Sequence, residues 1–166
     1  MPEAAAMTNS GRTTRKIPRI RRAETTRFTV DDQKGYLTTA DAEDGSVGEV
    51  TIRMAKQGST LAGMMDALGA AITLGLQAGA PAEVYVSKYS SMRFAPAGRT
   101  DDPELPMATS IMDYVARRVA LDCLPPERRV GMGILTAAER TALADEVAGW
   151  VDLPGLAMSA PHELHR

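Results

Sequence analysis

Residues 47–79 change their periodicity partway along, and that change limits the fold more than any other feature of the chain. From Val47 to Lys56 the pattern alternates. Val50, Ile52 and Met54 fall on one side, and Glu49, Thr51 and Arg53 on the other, as in a strand with one wet face. Past Gln57-Gly58 the spacing becomes helical. Leu61, Met64, Met65, Leu68, Ile72 and Leu76 form the expected core face, and Ser59 or Thr60 caps the start, because a hydroxyl oxygen takes an otherwise unpaired amide proton. A second stripe of Gly63, Ala67, Ala71 and Gly75 carries small side chains that admit a close neighbour. Gly69 and Gly75 each weaken a helix by up to about 1 kcal/mol relative to alanine, which predicts a packing reason for them. The helix is therefore expected to be buried on two sides, the second against a partner. Gly79 and Pro81 end it.

The flanking elements fix the fold class. Thr26–Val30 and Gly35–Ala40 read as two further strands, joined by a turn at Asp31-Asp32, and Asp44-Gly45 marks the loop before the third. Pro81–Tyr89 suits a short helix opened by proline, although Val84-Tyr85-Val86 would also suit a strand. Met92-Arg93-Phe94 reads as extended, before a turn region rich in Pro, Gly and Asp. A helix is expected from about Pro106 to Leu124, with Ile111, Met112, Val115, Val119 and Cys123 inward and an Asp113–Arg117 pair outside. Thr136-Ala137-Ala138-Glu139 forms a capping box opening a last helix, with Leu143, Val147 and Trp150 on one side. The expectation is an α+β fold, about three antiparallel strands followed by three to four helices packed on one sheet face. It occupies residues 24–150, between a basic disordered arm over 1–23 and a frayed tail over 151–166.

Composition removes several functions. A chain of 166 residues with 44% hydrophobic content fits one globular domain. With 4% aromatics, its core must rest on aliphatic and small side chains. Net charge is −2, which argues against a wholly basic nucleic-acid module. Arg12, Arg15, Lys16, Arg19, Arg21, Arg22 and Arg27 are nevertheless crowded at the N-terminal side. Such an arm supports salt-sensitive nucleic-acid contact as one reading, but no aromatic residue precedes Phe28 to stack a base. The single cysteine, Cys123, cannot form an internal disulfide or a dithiol pair, and reads as a buried, inert thiol. No signal peptide is evident, and the 61–80 segment carries Asp66 and Gln77, so a cytoplasmic protein without a membrane span is expected.

Two candidate sites remain. Gly58, Ser59 and Thr60 at a helix start, with Lys56 before them, would suit a phosphate. Lys56 precedes the glycine, unlike a Walker A lysine, and plain capping explains the same residues. Arg93 would clamp a phosphate or carboxylate, or pair with Asp101 or Asp102 to fix the turn. Asp101-Asp102 alone do not build a cation cage, and His162 and His165 lack companion ligands. Arg117-Arg118 and Glu127-Arg128-Arg129 read as solvated faces. No catalytic set and no metal cluster emerges from the residue types.

Several segments, in order, carry a resemblance. They are Gly35-Tyr36-Leu37-Thr38, Val47-Gly48-Glu49-Val50, Met54 through Ala67, Gly75-Leu76-Gln77-Ala78-Gly79, Tyr85-Val86-Ser87-Lys88, Met92 through Gly98 and Met107 through Tyr114. Over about Arg15 to Glu146 the chain resembles the C-terminal accessory (TSCPD) region of adenosylcobalamin-dependent class II ribonucleotide reductases, the actinobacterial type in particular. The resemblance implies an association with deoxyribonucleotide synthesis. In such enzymes a barrel cysteine carries the radical that adenosylcobalamin supplies, and a cysteine pair supplies electrons. Neither the barrel nor a Cys-rich tail lies in the matching region, and Cys123 matches no catalytic thiol of the family. The resemblance thus implies an accessory domain that binds no cofactor alone, with a reductase catalytic chain, or a second copy through the 61–77 helix, as partner. A nucleotide-binding regulatory module and a basic-arm nucleic-acid binder are the alternatives.

Overall fold

The computed structural model describes residues 14–151, and of residues 149–151 the backbone alone. Three antiparallel strands, β1 (Ala23–Val30), β2 (Gln33–Asp41) and β3 (Val47–Met54), form a sheet in the order β1-β2-β3. Helices α1 (Thr60–Gln77) and α2 (Ala82–Tyr89) follow. Two short strands, β4 (Gly98–Arg99) and β5 (Met107–Ala108), pair with each other ahead of α3 (Ile111–Cys123), α4 (Pro126–Val130) and α5 (Ala137–Val151). The class is α+β, as the pattern of the sequence predicts.

Alternation sets the sheet. Phe28, Val30, Leu37, Val50, Ile52 and Met54 point inward and are buried. The inner face meets α3, where the rings of Phe28 and Tyr114 pack with centroids 4.7 Å apart. Helix α1 lies along the edge strand β3. Thr73 Oγ1 accepts from the Val50 amide at 2.9 Å and donates to the Val50 carbonyl at 3.0 Å, which satisfies backbone groups the sheet leaves open. Strand β3 stops at Met54, two residues earlier than expected, because Ala55 turns to a φ of 62°.

Part of the expected arm lies against this body. The Arg15 guanidinium donates to the carbonyls of Leu76 and Ala80 at 2.8 and 2.7 Å, and its amide to Gln77 at 2.8 Å. Arg15 thereby caps the last turn of α1, where carbonyls have no helical partner and a cation is favoured. Arg21 pairs with Glu49, and Arg27 with Asp101 at 3.4 Å. Residues 1–13, Trp150's side chain, His162 and His165 lie outside the described residues.

The helix expected from Pro106 begins instead at Ile111. Met107 and Ala108 are spent on pairing with Gly98 and Arg99, and Ser110 starts the helix by accepting from the Asp113 amide at 3.0 Å. Asp113 is not outside. It is 3% exposed, and accepts from the backbone amides of Ser91 and Thr109 and from Arg117 at 2.7, 3.0 and 2.6 Å. Arg118, Arg128 and Arg129 are likewise paired rather than merely solvated: Arg118 holds Asp122 and Asp102, Arg128 holds Glu83, and Arg129 holds Glu139.

The capping box at α5 is present in both directions. The Thr136 amide donates to Glu139 Oε2 at 2.7 Å, and the Glu139 amide to Thr136 Oγ1 at 3.2 Å. Arg129 adds two bonds to the same carboxylate, at 2.5 and 2.8 Å. Arg129 first, and Thr136 with it, lower the Glu139 pKa from 4.5 to about 2. Because the folded value is the lower one, this contribution to stability is present above the ordinary value of 4.5 and is lost as pH falls toward about 2. Melting curves of the wild type and Glu139→Gln should therefore differ most above pH 5 and converge as the pH approaches 2.

Candidate functional site

The turn from β3 into α1 has the geometry its residues predict. Gly58 adopts a φ of 82°, a region open to glycine at no steric cost, and Ser59 is the cap residue, accepting from the Ala62 amide at 3.2 Å. Beside them lies an open cleft of about 480 Å³ lined by Arg53, Gln57, Gly58, Ser59, Gly63 and Asp66, among others. A neighbouring cleft of about 570 Å³ is lined by Lys34, Tyr36 and, again, Arg53.

Arg53 is the cation common to both clefts, joined in the second by Lys34. Lys56 is exposed and lines neither, and Thr60 is exposed at the first helical position. Arg93, also exposed, belongs to a different part of the fold: its segment is held by Phe94, whose amide donates to the Thr109 carbonyl at 3.3 Å. The expected companions of Arg93 are engaged elsewhere, Asp101 by Arg27 and Thr29, Asp102 by Tyr114 and Arg118. The grouping of Arg53 with Tyr36 escapes a reading of the local motif but not of the strand pattern. Both fall on wet positions, and the register places Tyr36 opposite Arg53. Arg53 already faces Asp66 at 3.8 Å, with side chains 68% and 48% exposed. An anion entering this cleft meets a guanidinium with a carboxylate beside it, which offsets much of its attraction.

Cys123 closes α3 half-buried, with its thiol bonded to Thr39. Burial pushes it up to about 12. At neutral pH it is a thiol, neither nucleophilic nor ready to ligate a metal. Between β3 and helices α1, α2 and α3 a small apolar pocket of about 20 Å³ has room for one water at most.

The largest departure from expectation is the orientation of α1. Its buried residues are Met65, Gly69, Ile72 and Leu76. Met64 is 65% exposed and Leu61 40%, so both leave the core to which their spacing assigned them. Gly63, Ala67 and Ala71 are exposed as well, and Gly75 is half-buried beneath the Tyr85 hydroxyl. The close contact with the backbone of β3 belongs to Gly69, where a Cβ would lie 3.1 Å from the Val50 carbonyl oxygen. Helical periodicity identifies two apolar sides but not which of them the sheet takes. Thr73 and Gly69 decide that by fitting the β3 backbone.

No helix among the described residues is long and apolar enough to cross a membrane. A TSCPD domain signature matches residues 10–122. The vitamin B12-dependent ribonucleotide reductase of Streptomyces coelicolor is 50% identical over 152 residues, covering 89% of this chain and 16% of that protein. The enzyme of the same name from Streptantibioticus cattleyicolor is 49% identical over 154 residues, 90% of this chain and 26% of the relative. That from Agrobacterium fabrum is 41% identical over 110 residues, 66% of this chain and 9% of the relative. The chain thus spans between 9% and 26% of the length of these relatives. No solved structure matches.

Proposed function

Since the chain belongs to the TSCPD domain family, we propose that it is an accessory domain of a vitamin B12-dependent ribonucleotide reductase, supplying a binding surface to a catalytic chain that performs the chemistry. The observation that carries this reading is the combination of about 50% identity with a small share of a long relative. Redox balance supports it. Reducing a ribose to a deoxyribose consumes two electrons and two protons, which two thiols supply as they close to a disulfide. This sequence has one cysteine, and its thiol is held protonated.

The cofactor in the relatives' name does not fit the described residues. The apolar pocket of about 20 Å³ is far below the size of a corrin ring, and the clefts beside Arg53 are open and lined by charged side chains. On this reading the cobalamin belongs to the catalytic chain, in the cytoplasm, where thiol reductants persist.

The test is reconstitution. A Streptomyces coelicolor reductase truncated to remove the region matching this chain is assayed for deoxynucleotide formation with and without the purified chain. The proposal expects turnover to rise several-fold and to saturate as the chain is added. Turnover independent of the chain at every concentration would contradict it.

A further inference from the structure

The outer side of α1 is an exposed apolar surface about half the helix circumference wide. At 100° per residue, Leu61, Met64, Ala67, Ala70, Ala71 and Leu74 spread over that half, and all six are exposed. Met64 and Leu74, at 65% and 66%, are among the most exposed large apolar side chains. Polar side chains break this surface only at its ends, Thr60 within it at the first turn and Gln77 at its border in the last, while Thr73 is spent on β3 and Asp66 faces Arg53. A helix apolar on nearly every side is one that is buried on nearly every side.

Three kinds of occupant are conceivable, and size and charge separate them. A lipid surface would call for Lys or Arg flanking the apolar face, and α1 contains neither. A second copy laid helix against helix covers a stripe only about 100° wide and would leave the rest of the half-circumference wet. A groove with walls on both sides covers it all.

Resting on the accessory-domain reading, we infer that the outer half of α1 docks into an uncharged apolar groove, formed by at least two elements, on the catalytic chain of a vitamin B12-dependent ribonucleotide reductase. Ala67, Ala70 and Ala71 let the floor of the groove approach the backbone, Met64 adapts to an irregular wall, and Leu74 anchors the far end.

The experiment is titration calorimetry of the full chain against the truncated Streptomyces coelicolor reductase, with sedimentation of the chain alone. Ala71→Glu and Ala67→Glu each place a carboxylate on the docking face. Both should keep the wild-type melting temperature, since the sites are exposed, and weaken binding about a hundredfold through a desolvated, unpaired charge. Leu143→Glu on α5, also exposed, should bind as the wild type does. If the wild type and both α1 variants bind equally, the inference fails and the accessory reading stands. If the wild type does not bind and sediments as a dimer that Ala71→Glu separates, the occupant is a second copy and the inference fails. If the wild type neither binds nor dimerises, both the inference and the reading beneath it fail.

Discussion

Asp113→Ala is expected to destabilise the chain by about 4 kcal/mol, which lowers the melting temperature by about 10 °C in a protein of this size. The carboxylate is buried at the start of α3, where it receives the amides of Ser91 and Thr109 and the Arg117 guanidinium. Removing it orphans the two amides and leaves Arg117 with the Met107 carbonyl alone. Each buried amide left without a partner costs about 1–3 kcal/mol, and stripping a partner from a buried ion pair costs about 3–5 kcal/mol before relaxation and water recover part of it. Ser91 adds to the effect. Its φ of 66° is uncommon for a residue with a side chain, and the bond to Asp113 helps to hold it there. Asp113→Asn keeps the shape and one acceptor oxygen, so its loss should lie between the wild type and alanine. Denaturant unfolding measures the series. A cost below about 1 kcal/mol for Asp113→Ala would mean that these bonds do not organise the junction between the sheet, the 91–109 segment and α3.

The second large effect distinguishes two small residues of α1 that look alike in the sequence. Gly69→Leu should cost about 3 kcal/mol or more, because its Cβ alone would lie 3.1 Å from Val50 O and 3.4 Å from Ile52 N, both backbone atoms of β3. Relief requires α1 to lift from the strand, which breaks the paired bonds between Thr73 and Val50. Gly69→Ala meets the same contact but gains up to about 1 kcal/mol of helix propensity, so its loss should be smaller. Ala67→Leu, two residues earlier and exposed, should stay within about 0.5 kcal/mol of the wild type. The opposite ranking, with Ala67→Leu costly and Gly69→Leu tolerated, would place the sheet on the other side of the helix.

Those two positions show how far the sequence carries. The strands were legible because one face of the sheet is wet, so Val50, Ile52 and Met54 alternate with Thr51 and Arg53. The starts of α1 and α5 were legible because Ser59 and the Thr136–Glu139 box act within one turn. Tertiary choices were not legible. Pro106-Met107-Ala108 continues a helical pattern, yet Met107 and Ala108 pair with residues eight to ten positions back. An Asp113–Arg117 spacing suits an exposed helix face, and only the arrival of Ser91 and Thr109 reveals a buried junction. Arg15 reads as part of a basic arm until the carbonyls at the end of α1 are in place to receive it. The candidate phosphate site followed the same rule. Its cap stands at Ser59, whereas neither Lys56 nor Arg93 lines the cleft beside it, and Arg53 reaches that cleft through the pleat of β3.

The division of labour is tested most directly by product formation from the isolated polypeptide. Rigorously purified chain is supplied with ribonucleotide, adenosylcobalamin and a dithiol, and deoxynucleotide is quantified by chromatography. The expected result is none above the protein-free background. Product that rises in proportion to chain concentration and disappears in Cys123→Ser would contradict the account, because it would place the reducing chemistry on the one thiol held protonated at the end of α3.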